Sequence, residues 1–417
     1  MKLLLSAYAC EPHRGSEPGN GWNWALSTAK MGHEVWCLTT VEGRDKIEME
    51  VERLAMPNLH VVFVEVPTWV DKVYKYQPGV YLHYMVWQHR AYLKAQQLDQ
   101  TVNFDLVHHV TLGSLQMGTA LWRLNKPLIF GPTGGGQEAP KGFKKYFYRW
   151  WKMEVFRKFT SELLLALNPN AKQAMRHASL VLTTNHDTYD MAKRVGALNP
   201  KMFLDTSLPE DFYPEAYPER LPDDTLKILW VGRLFARKGL PLVLEALSKV
   251  RPDLKYELTI LGDGPMHDFV PQWIKEYKLE GKVNWKGQVP WDEVKRAYTY
   301  SDLFLFCSLR DSSAAQFLEA MAYGLPIVTL DLHGGKNLVP DEAGIKVPVT
   351  TPEQTVKDIA AAVEKLHDQP ILRRQMGMAG YQFSKTQTWT LKTKHINEFY
   401  SKYTQAKPAK LTINPSI

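Results

Sequence analysis

Short aliphatic or β-branched runs, separated by longer amphipathic segments, recur through the first half of the chain at residues 3–7, 34–39, 60–66, 106–110, 128–131 and 180–184. Parallel strands need a crossover of a dozen or more residues, usually a helix, so this alternation predicts βαβ units. The pattern stops at residues 209–224, where Pro209, Pro214, Pro218 and Pro222 stand among acidic residues, and restarts at 227–231, 258–261, 283–285, 303–306 and 327–330. A proline-rich break between two such series predicts two α/β domains joined by a linker. The expected boundaries are a first domain over 1–208, a linker over 209–225, a second domain over 226–386, a terminal helix over 387–405 and a frayed tail over 406–417. Helices are expected at 240–250, 351–366, 371–383 and 389–403.

With 417 residues, 45% of them hydrophobic and 23% charged, the chain has the core material and polar surface of a globular protein of two or three domains. Cys10, Cys37 and Cys307 are too few and too scattered for a disulfide framework, and no C-x-x-C pair offers a zinc site, which fits a reducing cytoplasm. The apolar opening at residues 1–10 ends at Glu11 and reads as a buried first strand rather than a signal. No stretch approaches the roughly 20 apolar residues that span a bilayer. Fifty-one Lys and Arg against 44 Asp and Glu leave a net charge of +7, which favours an anionic partner: a phosphorylated small molecule, an acidic lipid surface or nucleic acid.

The second series opens on a strand ending in Gly232-Arg233, then Leu234-Phe235-Ala236-Arg237-Lys238-Gly239 and a helix. Cations and glycines at a strand-to-helix junction suit a diphosphate, because backbone N–H groups, the helix N-terminus and the side chains all favour anions there. A solvated basic loop is the plainer alternative. The next strand ends in the turn Gly262-Asp263-Gly264, at the carboxyl edge where open α/β sheets bind ligands, and Gln288 follows the strand after it. The sharpest pattern is 308–326, where Asp311 and Glu319 flank Ser312, Ser313, Ala314, Ala315, Gln316 and Phe317 ahead of an Ala-rich helix that stops at Gly324. At a helical rise the two carboxylates stand roughly 12 Å apart, near the span from sugar to ribose of a nucleotide-sugar. Asp311 as a helix cap and Glu319 as a surface glutamate remain the alternatives.

These motifs resemble the retaining nucleotide-sugar glycosyltransferases of glycosyltransferase family 4, of the bacterial polysaccharide type, and the likeness covers nearly the whole chain. It implies the GT-B fold, two Rossmann-like doubly wound domains facing across a cleft, with the terminal helix returning to the first domain. By position, Arg233 and Lys238 would neutralise the donor diphosphate, Glu319 would take the ribose hydroxyls and Asp311 the sugar hydroxyls. The backbone of Ala314 to Phe317, with Ser313, Gly232, Gly262 and Gln288, would line the donor. The family usually has Glu where this chain has Asp311, one methylene shorter. In the first domain, Gly15 and Ser16 resemble the family's flexible glycine loop, and His109, with His108 as the other register, stands where such enzymes place a histidine near the sugar. Gly134, Gly135 and Gly136 follow a strand and line either the cleft or a tight turn.

The resemblance further implies hexosyl transfer with retention, by departure and attack on one face, from UDP-glucose first and GDP-mannose next, to a glycan or lipid-linked glycan acceptor. The chain contains no Asp-x-Asp triplet, so protein cations rather than a metal are expected on the diphosphate, and no cofactor is expected. A nucleotide-sugar epimerase of the same fold and a non-catalytic nucleotide-binding protein are the competing classes. No G-x-G-x-x-G follows the first strand, and no nucleic-acid module is recognisable, so no nucleic-acid partner is expected.

Residues 141–158 carry seven cations, including Lys144, Lys145, Arg149 and Lys152, against Glu154 alone, with seven aromatics among them, including Trp150 and Trp151. Such a segment predicts a helix lying on an anionic lipid surface, at the inner face of the membrane, with a core-packed amphipathic helix as the alternative. The Trp- and Tyr-rich stretch 69–98 is a second candidate on the acceptor side.

Overall fold

The computed structural model describes residues 1–74, 77–220 and 223–405; Pro222 and the tail expected over 406–417 lie outside the described residues. Seven strands, β1 (Lys2–Ala7), β2 (Glu34–Thr39), β3 (Leu59–Phe63), β4 (Leu106–Thr111), β5 (Leu128–Thr133), β6 (Leu180–Thr183) and β7 (Pro200–Met202), form one parallel sheet in the order β3-β2-β1-β4-β5-β6-β7. Six more, β8 (Leu226–Val231), β9 (Tyr256–Leu261), β10 (Val283–Trp285), β11 (Leu303–Leu305), β12 (Ile327–Leu330) and β13 (Gly344–Val347), form a second in the order β10-β9-β8-β11-β12-β13. Both orders step outward from the first strand and then reverse, which is the doubly wound Rossmann arrangement, and two such sheets make the GT-B fold.

The first sheet carries α1 (Ser16–Lys30), α2 (Arg44–Leu54), α3 (Thr68–Val73), α4 (Gln77–Val102), α5 (Trp151–Leu167), α6 (Pro169–His177) and α7 (His186–Val195). The second carries α8 (Leu240–Leu247), α9 (Val270–Glu276), α10 (Trp291–Tyr300), α11 (Ala315–Ala322), α12 (His333–Leu338), α13 (Pro352–Asp368) and α14 (Pro370–Lys385), and α15 (Trp389–Gln405) closes the chain. A parallel sheet covered on both faces needs strands that are apolar on both. In β1, Leu3 and Leu5 therefore enter one core with Trp24 and Tyr400, while Leu4 enters the other with Trp87.

α15 belongs to the first domain: Trp389 meets Trp24 edge-on at 5.5 Å, and Tyr400 OH lies 2.7 Å from His108 Nδ1. The two strands of chain that pass between the domains clasp each other, Leu208 N–H donating to Gln387 O at 3.1 Å and Trp389 N–H to Leu208 O at 3.1 Å.

Residues 141–158 depart from the single surface helix expected of them. Lys141–Trp150 winds in tight 3-10 turns, Tyr148 breaks the run at φ 51° and ψ −134°, and α5 starts afresh at Trp151. Phe143, Tyr146 and Phe147 are buried in the core of the second domain, Tyr146 OH donates to Glu245 Oε2 at 2.9 Å, and Lys145 pairs with the same carboxylate at 3.1 Å. Burial of each ring is worth about 1.5–3 kcal/mol, so these three rings are structural and no lipid surface reaches them. Trp150 and Trp151 are half-buried against the same core, whereas Lys144, Arg149 and Lys152 remain exposed. The stretch 69–98 likewise divides between α3 and α4, with Tyr84 and Trp87 buried and Trp69 exposed.

Candidate active site

Ligands of open α/β sheets sit beyond the carboxyl ends of the strands where the order reverses, here between β1 and β4 and between β8 and β11. Both points open on the same interdomain cleft, because Ser312, in the loop after β11, touches Thr184 and Asn185 after β6. Three helices begin at these edges, α1 at Gly15, α8 at Gly239 and α11 at Ala314, and none has a side chain capping its first turn. Uncapped helix N-termini leave donors for an anion.

On the second-domain side, Lys238 and Asp311 form an ion pair with Lys238 only 8% exposed, and Arg237 Nη1 lies 3.7 Å from the other Asp311 oxygen. Burial pulls the Lys238 ammonium below its ordinary range while Asp311 pulls it back up. Glu319 is neither surface-lying nor free: its Oε2 accepts from Tyr298 OH at 2.9 Å, and burial pushes its carboxyl up to about 7 against the opposing Tyr298 hydrogen bond and Lys238 charge. Arg233 stands exposed at the mouth with its guanidinium 4.7 Å over the Phe235 ring. Glycine is required at 262, where φ is +133° and a Cβ would lie 1.9 Å from Gly232 O, so the turns after β8 and β9 touch. The exposed Gln288 follows Gly287, whose carbonyl accepts from Gly262 N–H at 2.7 Å.

The serine-rich cap expected at α11 is not used as one. Helix geometry begins only at Ala315, so the roughly 12 Å helical span between Asp311 and Glu319 does not hold, and Asp311 is not the cap. Ser312 turns to Thr184 and Asn185, and Ser313 donates to Asp205 in the crossing segment. Of the backbone expected along the donor, Phe317 has its ring in the core and its N–H given to Ala314 O at 3.0 Å, which leaves Ala315 and Gln316 partly exposed.

Four side chains that hold this loop escaped sequence reasoning. Asp205 is half-buried, with desolvation pushing its carboxyl up, near Lys392 of α15, whose ammonium burial pulls down to about 7. Arg310 pairs with Glu154 of α5 at 2.7 Å, and His333 places Nδ1 2.8 Å from Asp187 and Nε2 2.8 Å from Glu138 O, each bond crossing between domains. An isolated Asp after β7 or a His before two glycines carries no local pattern, so only the fold reveals these contacts.

On the first-domain side, Gly15 and Ser16 are exposed at the cleft edge, and the neighbouring Glu17 accepts from Gly113 N–H at 2.6 Å, its carboxyl raised by burial. Neither histidine opens to the cleft, which corrects the placing of His109 near the sugar. His108 is locked between Tyr400 and Gly131 O, and His109 stacks on Phe130 at 5.0 Å with Nδ1 3.1 Å from Ser6 Oγ; burial pulls the two rings down to about 3 and about 4. Gly134 meets the second domain so closely that a Cβ would lie 2.4 Å from Ser312 Oγ, while Gly135 and Gly136 pack on Gln116 and Asp187. Among the described residues no three His, Cys, Asp or Glu side chains cluster as a metal site, and no helix is long and apolar enough to cross a membrane.

Residues 215–383 match the family model described as glycosyl transferases group 1. The chain is 29% identical over 161 residues to the phosphatidylinositol N-acetylglucosaminyltransferase GPI3 subunit of Saccharomyces cerevisiae, covering 37% of this chain and 35% of that protein. It is 26% identical over 235 residues to the putative colanic acid biosynthesis glycosyltransferase WcaL of Escherichia coli, covering 54% of this chain and 58% of that one. The chain thus spans between about a third and just over half the length of these relatives. Among solved structures it resembles Anabaena HepE in complex with UDP-glucose, with a TM-score of 0.61 at 16% identity over 96% of this chain and 100% of that one. At that identity the likeness is one of fold.

Proposed function

We propose that this chain is a retaining glycosyltransferase, moving a hexosyl group from a nucleotide-diphosphate sugar to a glycan or lipid-linked glycan in polysaccharide biosynthesis. The observation that carries this reading is the convergence of Arg233, Arg237, Lys238 and Glu319 with the uncapped starts of α8 and α11 at one switch point of the cleft. UDP-glucose is the first choice of donor and GDP-mannose the next; the UDP-glucose bound by HepE and the sugar-transferring names of the relatives support it.

Lys238 and Arg233 would hold the diphosphate, and Glu319 the ribose. As the bond from anomeric carbon to diphosphate oxygen breaks, both cations neutralise the growing negative charge, and the acceptor hydroxyl enters on the face the diphosphate leaves. Preorganised charge at the leaving group is usually the largest single catalytic contribution. No metal is required in this reading. The exposed Lys144, Arg149 and Lys152 would hold the protein against the inner face of an anionic membrane.

Two results are expected. Among UDP- and GDP-sugars, UDP-glucose gives the largest rise in melting temperature, about 2.7 kcal/mol of added stability at 100 times its Kd, and turnover with retained anomeric configuration by NMR survives excess chelator. A response to GDP-mannose alone would overturn the donor choice, an isomerised donor without an acceptor would make the protein an epimerase, and activity restored only by a divalent ion would end the metal-free mechanism. Arg233→Ala, an exposed change, should lower kcat/KM by about 10²–10³-fold and leave the melting temperature unchanged; near-native kcat/KM would remove Arg233 from the diphosphate site.

A further inference from the structure

His333 opens α12 with a left-handed backbone, at φ +45°, a region that side chains other than glycine's seldom visit and histidine visits more than most. The residue is 8% exposed, and its ring is turned out of the second domain onto the first. Nδ1 lies 2.8 Å from Asp187 Oδ2 at the start of α7, and Nε2 lies 2.8 Å from Glu138 O in the loop after β5. A carbonyl oxygen and an ionised carboxylate only accept hydrogen bonds, and a neutral imidazole has a single N–H to give. The hydrogen bond from the ring holds the Asp187 carboxyl below its ordinary range, so this carboxylate is ionised. Both bonds therefore form together only when both ring nitrogens carry hydrogen.

The two glycines that follow couple this ring to the donor loop. Gly334 N–H donates to Asp311 O at 3.3 Å, and a Cβ on Gly334 would lie 2.9 Å from Ser312 O. The start of α12 thus packs directly on the segment that carries Asp311 to its pair with Lys238. Arg310, Ser312 and His333 fasten this part of the second domain to the first, through Glu154 at 2.7 Å, through Thr184 and Asn185, and through Asp187 and Glu138 O. An arginine–carboxylate pair and a hydroxyl contact keep their charge between pH 5 and 8, whereas histidine is the side chain whose charge changes there.

The charged groups set around the ring are Asp187, with His186 beside it, and Glu138, which is engaged with Lys158 of α5 at 2.7 Å. On its own side stand Asp331, 3.6 Å from Lys336, and Asp311, paired with Lys238. Both lysines of the second domain and Lys158 are thus already tied to other carboxylates, which leaves Asp187 to the imidazolium.

We infer that His333 is a positioning residue of the transfer reaction: as an imidazolium bonded to Asp187 and Glu138 O it fixes the Asp311–Ser313 loop against the first domain, and it lets that loop go when the ring loses its proton. The inference rests on the transferase reading above and adds a pH dependence to the cleft. Because the contact needs the protonated ring, its contribution is complete at low pH and is lost as pH rises. A proton is taken up when the two domains meet through His333 and released when they part.

Two measurements on the whole chain with UDP bound test this. With ¹⁵N-labelled histidine, and His333 assigned by its absence in His333→Asn, both ring nitrogens of His333 should carry hydrogen at pH 6, and one should lose it as pH rises to 9. A single N–H at pH 6 overturns the imidazolium, and two retained at pH 9 overturn the release. In steady-state transfer from UDP-glucose, His333→Asn, which suits a left-handed backbone and keeps the bond to Asp187, should lower kcat about tenfold at pH 6, the loss of one charge-assisted hydrogen bond. At pH 9 its kcat should equal the parent's, and the Kd of free UDP should be the same in both proteins throughout. His333→Gln, which keeps only the bond to Glu138 O, should behave alike and stands in should the Asn variant not fold. The ratio of parent to variant separates the ring from Glu319, which titrates in both. A ratio that stays constant from pH 6 to 9 overturns the proposal. A parent that transfers no sugar at any pH strikes down the transferase reading instead, and the ring nitrogens still decide the contact.

Discussion

Glu319→Gln is expected to make the unliganded protein more stable at pH 8 while weakening its grip on the nucleotide. The carboxyl is pushed up to about 7 by burial, above its ordinary 4.5, so folding favours its protonated form. Below pH 4.5 both folded and unfolded chains carry the proton and nothing is lost; as pH rises to about 7 the unfolded chain ionises first, and folding is penalised by up to about 3 kcal/mol. Gln removes that penalty and still accepts the Tyr298 hydroxyl. The difference in melting free energy between variant and parent should therefore be near zero at pH 4.5 and reach its full value above pH 7. A ribose contact made by a charged acceptor is worth about 1.5–3 kcal/mol, so nucleotide affinity should fall about 10- to 100-fold. An equal stability difference at pH 5 and pH 8 would show that the gain has another origin.

The second large effect is expected at Lys238. Its partner Asp311 is 13% exposed, so Lys238→Ala strands a carboxylate out of water, which typically costs 3–5 kcal/mol; Arg237, still 3.7 Å away, should hold the loss near about 3 kcal/mol. The double variant Lys238→Ala with Asp311→Ala should recover most of that stability and none of the turnover. Thermal melts of the four members of this cycle separate the two roles. If the double variant is no more stable than Lys238→Ala, the pair is not the unit that matters.

Both predictions depend on contacts that no local pattern announces, whereas the framework around them was legible. Ten of the thirteen strands lie over the runs read from hydrophobicity alone to within about two residues at either end, because a strand buried on both faces must be apolar throughout. The short edge strands β7 and β13 were missed, for Pro-Lys-Met and Gly-Ile-Lys-Val carry little of that signal. The basic and aromatic run at 141–158 misled for a physical reason: periodicity records which faces are apolar and not which domain buries them. Phe143 and Phe147 look like lipid anchors until the second domain closes over them. Glu319 and Lys238 were legible as candidates by type and spacing, but the Asp205–Ser313 bond, across 108 residues, exists only in the fold.

The burial of Phe143, Tyr146 and Phe147 under the second domain decides how chains of this fold can be recombined. A chimaera cut in the linker near residue 209 would join a foreign second domain to a first domain still carrying a three-ring plug seated in the second-domain core beside Glu245, and would leave its own native socket empty. Such hybrids should precipitate even when both halves are individually sound. A hybrid that moves 141–150 together with the second domain, and keeps α15 with the first, preserves each plug with its socket. The unit of exchange is then two separate stretches of chain, 141–150 and the second domain, rather than one half of it.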